Sequence, residues 1–132
     1  MISIDAMGGD HGPSVVVPAC AAALGELPPS VRMLLHGDET AIRAEMARCK
    51  LSEARVEVRH AERVIAMDEK PAQALRRAKG TSMWACVEAI REGQANVSVS
   101  AGNTGALMAI SKLILRMSAD LDRPAQIGRA HV

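Results

Sequence analysis

Aromatic side chains are almost missing from this chain: its 132 residues include one Trp and neither Tyr nor Phe. Its core must therefore come from Val, Ile, Leu, Met and Ala, a palette that suits helices packed on a buried parallel sheet. An excess of either charge is missing too. Lys plus Arg number 16 against 15 Asp plus Glu, so nothing electrostatic points to nucleic acid. No apolar run approaches the ~20 residues needed to cross a bilayer. The amino terminus reads directly into a strand-like segment, without the basic and apolar regions of a signal peptide. Cysteine is sparse: Cys20, Cys49 and Cys86 are far apart and odd in number. They lack metal-ligand spacing, and three reduced thiols in a cytosolic protein are expected, with no metal site.

What is present is an alternation of short apolar runs and helical stretches. Met1 to Ala6 reads as a buried strand, and Ser14 to Leu24 as a helix ended by Gly25 and Pro28-Pro29. Val31 to Leu35 is a second strand, followed by Asp38 as the cap of a helix with Ile42, Met46 and Cys49 on its inner face. Arg55 to Val58 alternates as a third strand. Pro71 opens a short helix to Lys79, and Ser82 is expected to cap another that reaches Glu92. There Met83, Trp84 and Val87 are expected to pack on the sheet. Asn96 to Ser100 is a fourth strand, and Ala106 to Met117 a long apolar helix with Lys112 and Arg116 at its wet edge. Alternating strands and helices predict an α/β fold with a mainly parallel sheet. There is no internal repeat, low-complexity tract or linker, and the chain is one domain's worth of sequence.

Two glycine-rich turns stand between a strand and a helix. The first contains Gly8, Gly9, Asp10, His11 and Gly12; the second contains Ser100, Gly102, Asn103, Thr104 and Gly105. In open α/β sheets ligands bind beyond the carboxyl ends of the strands. Glycine lets the backbone approach an anion, and a helix amino terminus offers free N–H groups. Asn103 and Thr104 add donors suited to phosphate oxygens, and Asp10 suits a hydroxyl, a metal or a cation. Tight strand-to-helix turns also need glycine for purely geometric reasons. Neither turn matches the Walker A or dinucleotide fingerprint, so spacing alone says "anion or phosphate" and stops there. A third stretch, residues 68–79, carries Lys70, Arg76 and Lys79. Arg76 and Lys79 fall three apart on an expected helix face, as phosphate or partner contacts or simply as a solvated surface. The four histidines show no ligand spacing.

In this order, Asp5-Ala6-Met7-Gly8-Gly9-Asp10 with Gly12-Pro13, Lys70-Pro71 through Gly80-Thr81-Ser82-Met83, and Ser100-Ala101-Gly102-Asn103-Thr104-Gly105-Ala106 resemble the PlsX-type phosphate acyltransferase family of bacterial lipid synthesis. The resemblance runs to about Pro124-Ala125. It implies a Rossmann-like α/β/α sandwich related to phosphotransacetylases and isopropylmalate-type dehydrogenases. It implies transfer of an acyl group from acyl-[acyl carrier protein] to inorganic phosphate, with no nicotinamide or covalent cofactor. It further implies acyl carrier protein as donor and partner, a cytosolic homodimer, and peripheral association with the membrane. Gly8, Gly9, Asp10, Ser100, Gly102, Asn103, Thr104 and Gly105 become the expected phosphate site. Lys70, Arg76, Arg77 and Lys79 become candidates for contact with phosphate or the acidic carrier. The resemblance gives no single residue a catalytic role.

Members of that family are more than twice as long, so the chain is expected to be its carboxyl-terminally truncated part. Where they continue in an apolar strand after Ala125, this chain reads Gln126-Ile127-Gly128-Arg129-Ala130-His131-Val132. Residues 127–132 match the translation of a common short-read sequencing adapter, so 1–125 is expected to be native and 126–132 a non-native tail. Two rival readings stand beside the acyltransferase: a phosphotransacetylase-like enzyme using acyl-coenzyme A, and a non-catalytic module that binds phosphate or a carrier protein.

Overall fold

The computed structural model describes residues 1–115. In chain order these form β1 (Ile2–Asp5), α1 (Pro13–Glu26), β2 (Met33–Gly37), α2 (Glu39–Arg48), β3 (Val56–His60), α3 (Pro71–Arg76), α4 (Ser82–Arg91), β4 (Val97–Ser100) and α5 (Thr104–Leu115). The four strands make one parallel sheet in the order β3-β2-β1-β4. The expected α/β class holds, and the sheet is wholly parallel.

The period-two alternation of the strands sets the two faces. Ile2, Ile4, Met33, Leu35, Val56 and Val58 lie on one face, where α1 and α2 cover them with Val17, Cys20, Leu24, Ile42 and Met46. The opposite face carries Ser3, Asp5, Leu34 and His36, all buried, with α4 lying across β1, β2 and β4. After β3 the chain thus changes sides and returns through α3 and α4 to place β4 beside β1. That reversal makes the boundary between β1 and β4 a topological switch point.

Helix α4 meets the sheet through small residues. Ser82, Cys86 and Ala89 are buried, spaced one turn apart, and the Cys86 carbonyl accepts the Ser3 hydroxyl at 2.8 Å. Met83, Trp84 and Val87 point the other way and form a second core with Ala74, Ala106, Ile110 and Ile114 of α3 and α5. This corrects their expected packing on the sheet. The smaller side chains let the helix axis come close, and the large ones fill the gap between helices.

Other boundaries differ by a residue or two. β2 extends to Gly37 because His36 is buried rather than exposed in a turn. Asp38 caps α2 as expected, accepting from the Thr40 and Ala41 amides. Thr81, not Ser82, caps α4 through its hydroxyl, which takes the Trp84 amide at 3.2 Å. Arg116, Met117 and the expected tail 126–132 lie outside the described residues.

Candidate functional site at the ends of β1 and β4

Parallel pairing places Asp5 opposite Ser100 at the carboxyl ends of adjacent strands. The two glycine turns therefore leave the sheet side by side. They touch: a Cβ on Gly8 would lie 2.8 Å from the Gly102 nitrogen and 3.1 Å from Ser100 Oγ. Only a residue without a side chain lets these two backbones meet. Gly9 has φ +88° and runs past Ala101, and the chain then turns into α1 at Gly12. No side chain caps α1. The two turns thus meet main chain to main chain, with the amino termini of α1 and α5 on either side of the junction.

The second turn is held by Asn103, which is 7% exposed. Its Oδ1 accepts the Ala106 amide at 3.1 Å. Its Nδ2 donates to the Ala66 and Glu69 carbonyls at 3.1 and 2.6 Å. Both amide hydrogens are engaged, so in this arrangement Asn103 fixes the turn and docks the 66–69 loop rather than donating outward. Pro71 follows, its ring 2.7 Å from where a Cβ of Gly105 would stand. Lys70, exposed, is thereby carried beside the start of α5. Asp10, His11 and Thr104 are exposed at the rim.

The three expected cations are not together. α3 stops at Arg76, with Arg77 as its C-cap. Residues 78–80 turn back through Gly80 at φ +89°, and Arg63 holds the Lys79 carbonyl. Lys79 is therefore not one helical face with Arg76. Its ammonium sits 5.9 Å from the Trp84 ring centroid, at an open cavity of about 700 Å³ beyond β3 that His60, Arg63, Glu62 and Glu88 also line. Arg77 pairs with Glu69 at 2.7 Å, which holds that carboxyl below its usual range.

Asp5, 2% exposed, lies beneath the two turns and is not among the residues the sequence marks as a site. Oδ1 accepts from the Ser82 hydroxyl at 2.6 Å and the Met7 amide at 3.1 Å. Oδ2 accepts from the Ser100 hydroxyl at 2.9 Å, and Ser100 Oγ in turn accepts the Gly102 amide at 3.1 Å. Burial pushes the Asp5 carboxyl above its ordinary range, and these donors partly offset it. Next to it, His36 is buried with Nε2 at 2.9 Å from Ser3 Oγ. The single Ser3 hydroxyl proton goes to the Cys86 carbonyl, so Nε2 carries a proton and donates. Nδ1 is then a bare acceptor with no partner. Burial lowers the His36 pKa to about 4. A strand-borne Asp followed by Ala-Met-Gly-Gly is the only sequence signal for Asp5, and nothing in the sequence marks its partners.

A parallel sheet with helices on both faces, and two glycine turns meeting at its switch point, defines a doubly wound α/β protein. The chain belongs to the fatty acid synthesis protein family, whose model matches residues 1–129. It is 78% identical over 128 residues to a protein of Phenylobacterium zucineum named phosphate acyltransferase, covering 97% of this chain and 36% of that protein. A phosphate acyltransferase of Caulobacter vibrioides is 66% identical over 128 residues, with 97% and 35% covered. One of Ectopseudomonas mendocina is 49% identical over 129 residues, with 97% and 38% covered. The chain thus spans little more than a third of the length of these relatives. No helix among the described residues is long and apolar enough to cross a membrane.

Proposed function

We propose that this chain is the phosphate-holding part of a phosphate acyltransferase that moves an acyl group from acyl-[acyl carrier protein] to inorganic phosphate. The observation that carries the reading is the meeting of the Gly8-Gly9 and Gly102 turns between β1 and β4, in a chain so similar to proteins named phosphate acyltransferase. Phosphate is a poor nucleophile while fully hydrated. Main-chain amides of Gly9, Asp10, Asn103, Thr104 and Gly105 would replace part of its water and fix one oxygen toward the thioester carbonyl carbon. That oxygen forms the new C–O bond as the C–S bond breaks, and the thiol leaves with the proton that phosphate gives up. The amides lower the charge repulsion of the approach, and the low-dielectric sheet ends beneath them strengthen each contact.

Lys70, brought beside the start of α5, is the cation best placed to contact the phosphate. Arg76 and Lys79 lie apart from it and suit an acidic carrier-protein surface. A homodimer and peripheral membrane contact belong to the same reading and involve the remaining length of the protein. The test uses a full-length phosphate acyltransferase carrying this segment. Free thiol is followed from an acyl-carrier thioester with and without phosphate. The reading expects release that depends on phosphate. Release only from acyl-coenzyme A would favour a phosphotransacetylase-like enzyme, and phosphate binding without release a non-catalytic module.

A further inference from the structure

We infer that Asp5 is a positioning residue whose carboxylate sets the spacing of the two turns and thereby the affinity of their junction for phosphate. The inference rests on the phosphate-site reading above. Among the described residues, Asp5 is the one side chain beneath the two turns that ties three elements together. Oδ1 holds the first turn through the Met7 amide and the start of α4 through Ser82. Oδ2 holds the end of β4 through Ser100. The Ser100 hydroxyl has one proton, and it goes to Asp5. Its lone pairs are thus free to take the Gly102 amide, so the position of the second turn is relayed from the carboxylate.

Every contact to Asp5 is a donor aimed at it, which only an acceptor-only group satisfies. An amide in its place would turn an NH₂ toward either Ser82 or Ser100. Either hydroxyl would then have to rotate, and rotation of Ser100 releases the Gly102 amide. The backbones of Gly8 and Gly102 are already in contact, so a small relative shift changes the width of an anion site. The shift is expected at the phosphate, the ligand assigned to these two turns.

The experiment measures KM for phosphate, KM for the acyl thioester, and kcat in a full-length phosphate acyltransferase carrying this segment, across pH 5 to 8. Asp5→Asn and Ser100→Ala are compared with Arg55→Lys, which weakens the junction of α1 with the loop to β2, away from both turns. The expected result is a phosphate KM raised about tenfold by Asp5→Asn and by Ser100→Ala, with the thioester KM within about twofold. Arg55→Lys lowers Tm and leaves the phosphate KM unchanged. The variants are compared with the unsubstituted protein at each pH, because phosphate itself changes charge across this range. Should Asp5→Asn not fold, Ser100→Ala decides the same question. Equal loss in both KM values, or a phosphate KM that follows Tm across all three variants, overturns the inference and leaves the acyltransferase reading standing. An unsubstituted protein without phosphate dependence overturns both.

Discussion

Asp5 and His36 are partners across adjacent strands, and burial moves each toward its neutral form. For His36 the pKa falls from an ordinary 6.5 to about 4, mainly through burial and then through the nearby Arg59 charge. The unfolded chain therefore binds the proton more readily between these values. Stability is full above 6.5 and is lost as pH falls toward 4. Urea unfolding of a full-length protein carrying the segment should lose about 2 kcal/mol between pH 7 and pH 5 from this group. His36→Gln should flatten that part of the profile. Asp5 acts in the opposite sense. Its raised folded pKa makes its contribution fall as pH rises above the ordinary carboxylate value. Two glycines give a paired test. Gly8→Ala forces a Cβ to 2.8 Å from the Gly102 nitrogen and should cost roughly 1–3 kcal/mol, with loss of phosphate-dependent activity. Gly25, helical in α1 with no atom within 4 Å of a built Cβ, should gain about 0.5–1 kcal/mol as Ala. Thermal unfolding of the two variants reads both signs.

At the scale of elements, Arg55 shows how much of the architecture rests on contacts distant in sequence. Its guanidinium donates to the Leu24, Pro28 and Val31 carbonyls at 2.8, 2.6 and 3.0 Å. It thereby satisfies the open end of α1 and the loop that leads to β2. Arg55→Lys keeps the charge but not the fork of donors. It should lower stability by about 1–2 kcal/mol in denaturant titration while leaving the phosphate KM as it was. The helices and strands were legible in the sequence because periodicity and caps are local: Asp38, Pro71 and the alternating strands behave as read. The cationic face of residues 70–79 was not, because Gly80 and the Arg63–Thr81 bridge end α3 early, and that bridge is a tertiary contact. Local pattern makes Ser82 a helix cap, but its hydroxyl answers a carboxylate 77 residues away.

At the scale of the molecule, β4 is an edge strand among the described residues. Val97 and Val99 share the face of Ile2 and Ile4 yet are 52% and 50% exposed, and Leu113 and Leu115 of α5 are also open. An unpaired parallel edge with an uncovered apolar face favours association. The 132-residue chain alone should therefore elute above monomer mass at micromolar concentration and show no cooperative thermal transition. A monomer with a sharp transition would refute this. The two motifs that build the junction could be seen in the sequence as separate turns. Their contact could not, because it follows from the order β3-β2-β1-β4, which no local pattern encodes. The most direct measurement of the central claim is a crystal structure of a full-length phosphate acyltransferase carrying this segment, with arsenate in place of phosphate and its position fixed by anomalous scattering. The account predicts arsenate between residues 8–10 and 101–105, on main-chain amides. Arsenate ordered elsewhere, with that junction empty at a concentration that competes with phosphate, would contradict it.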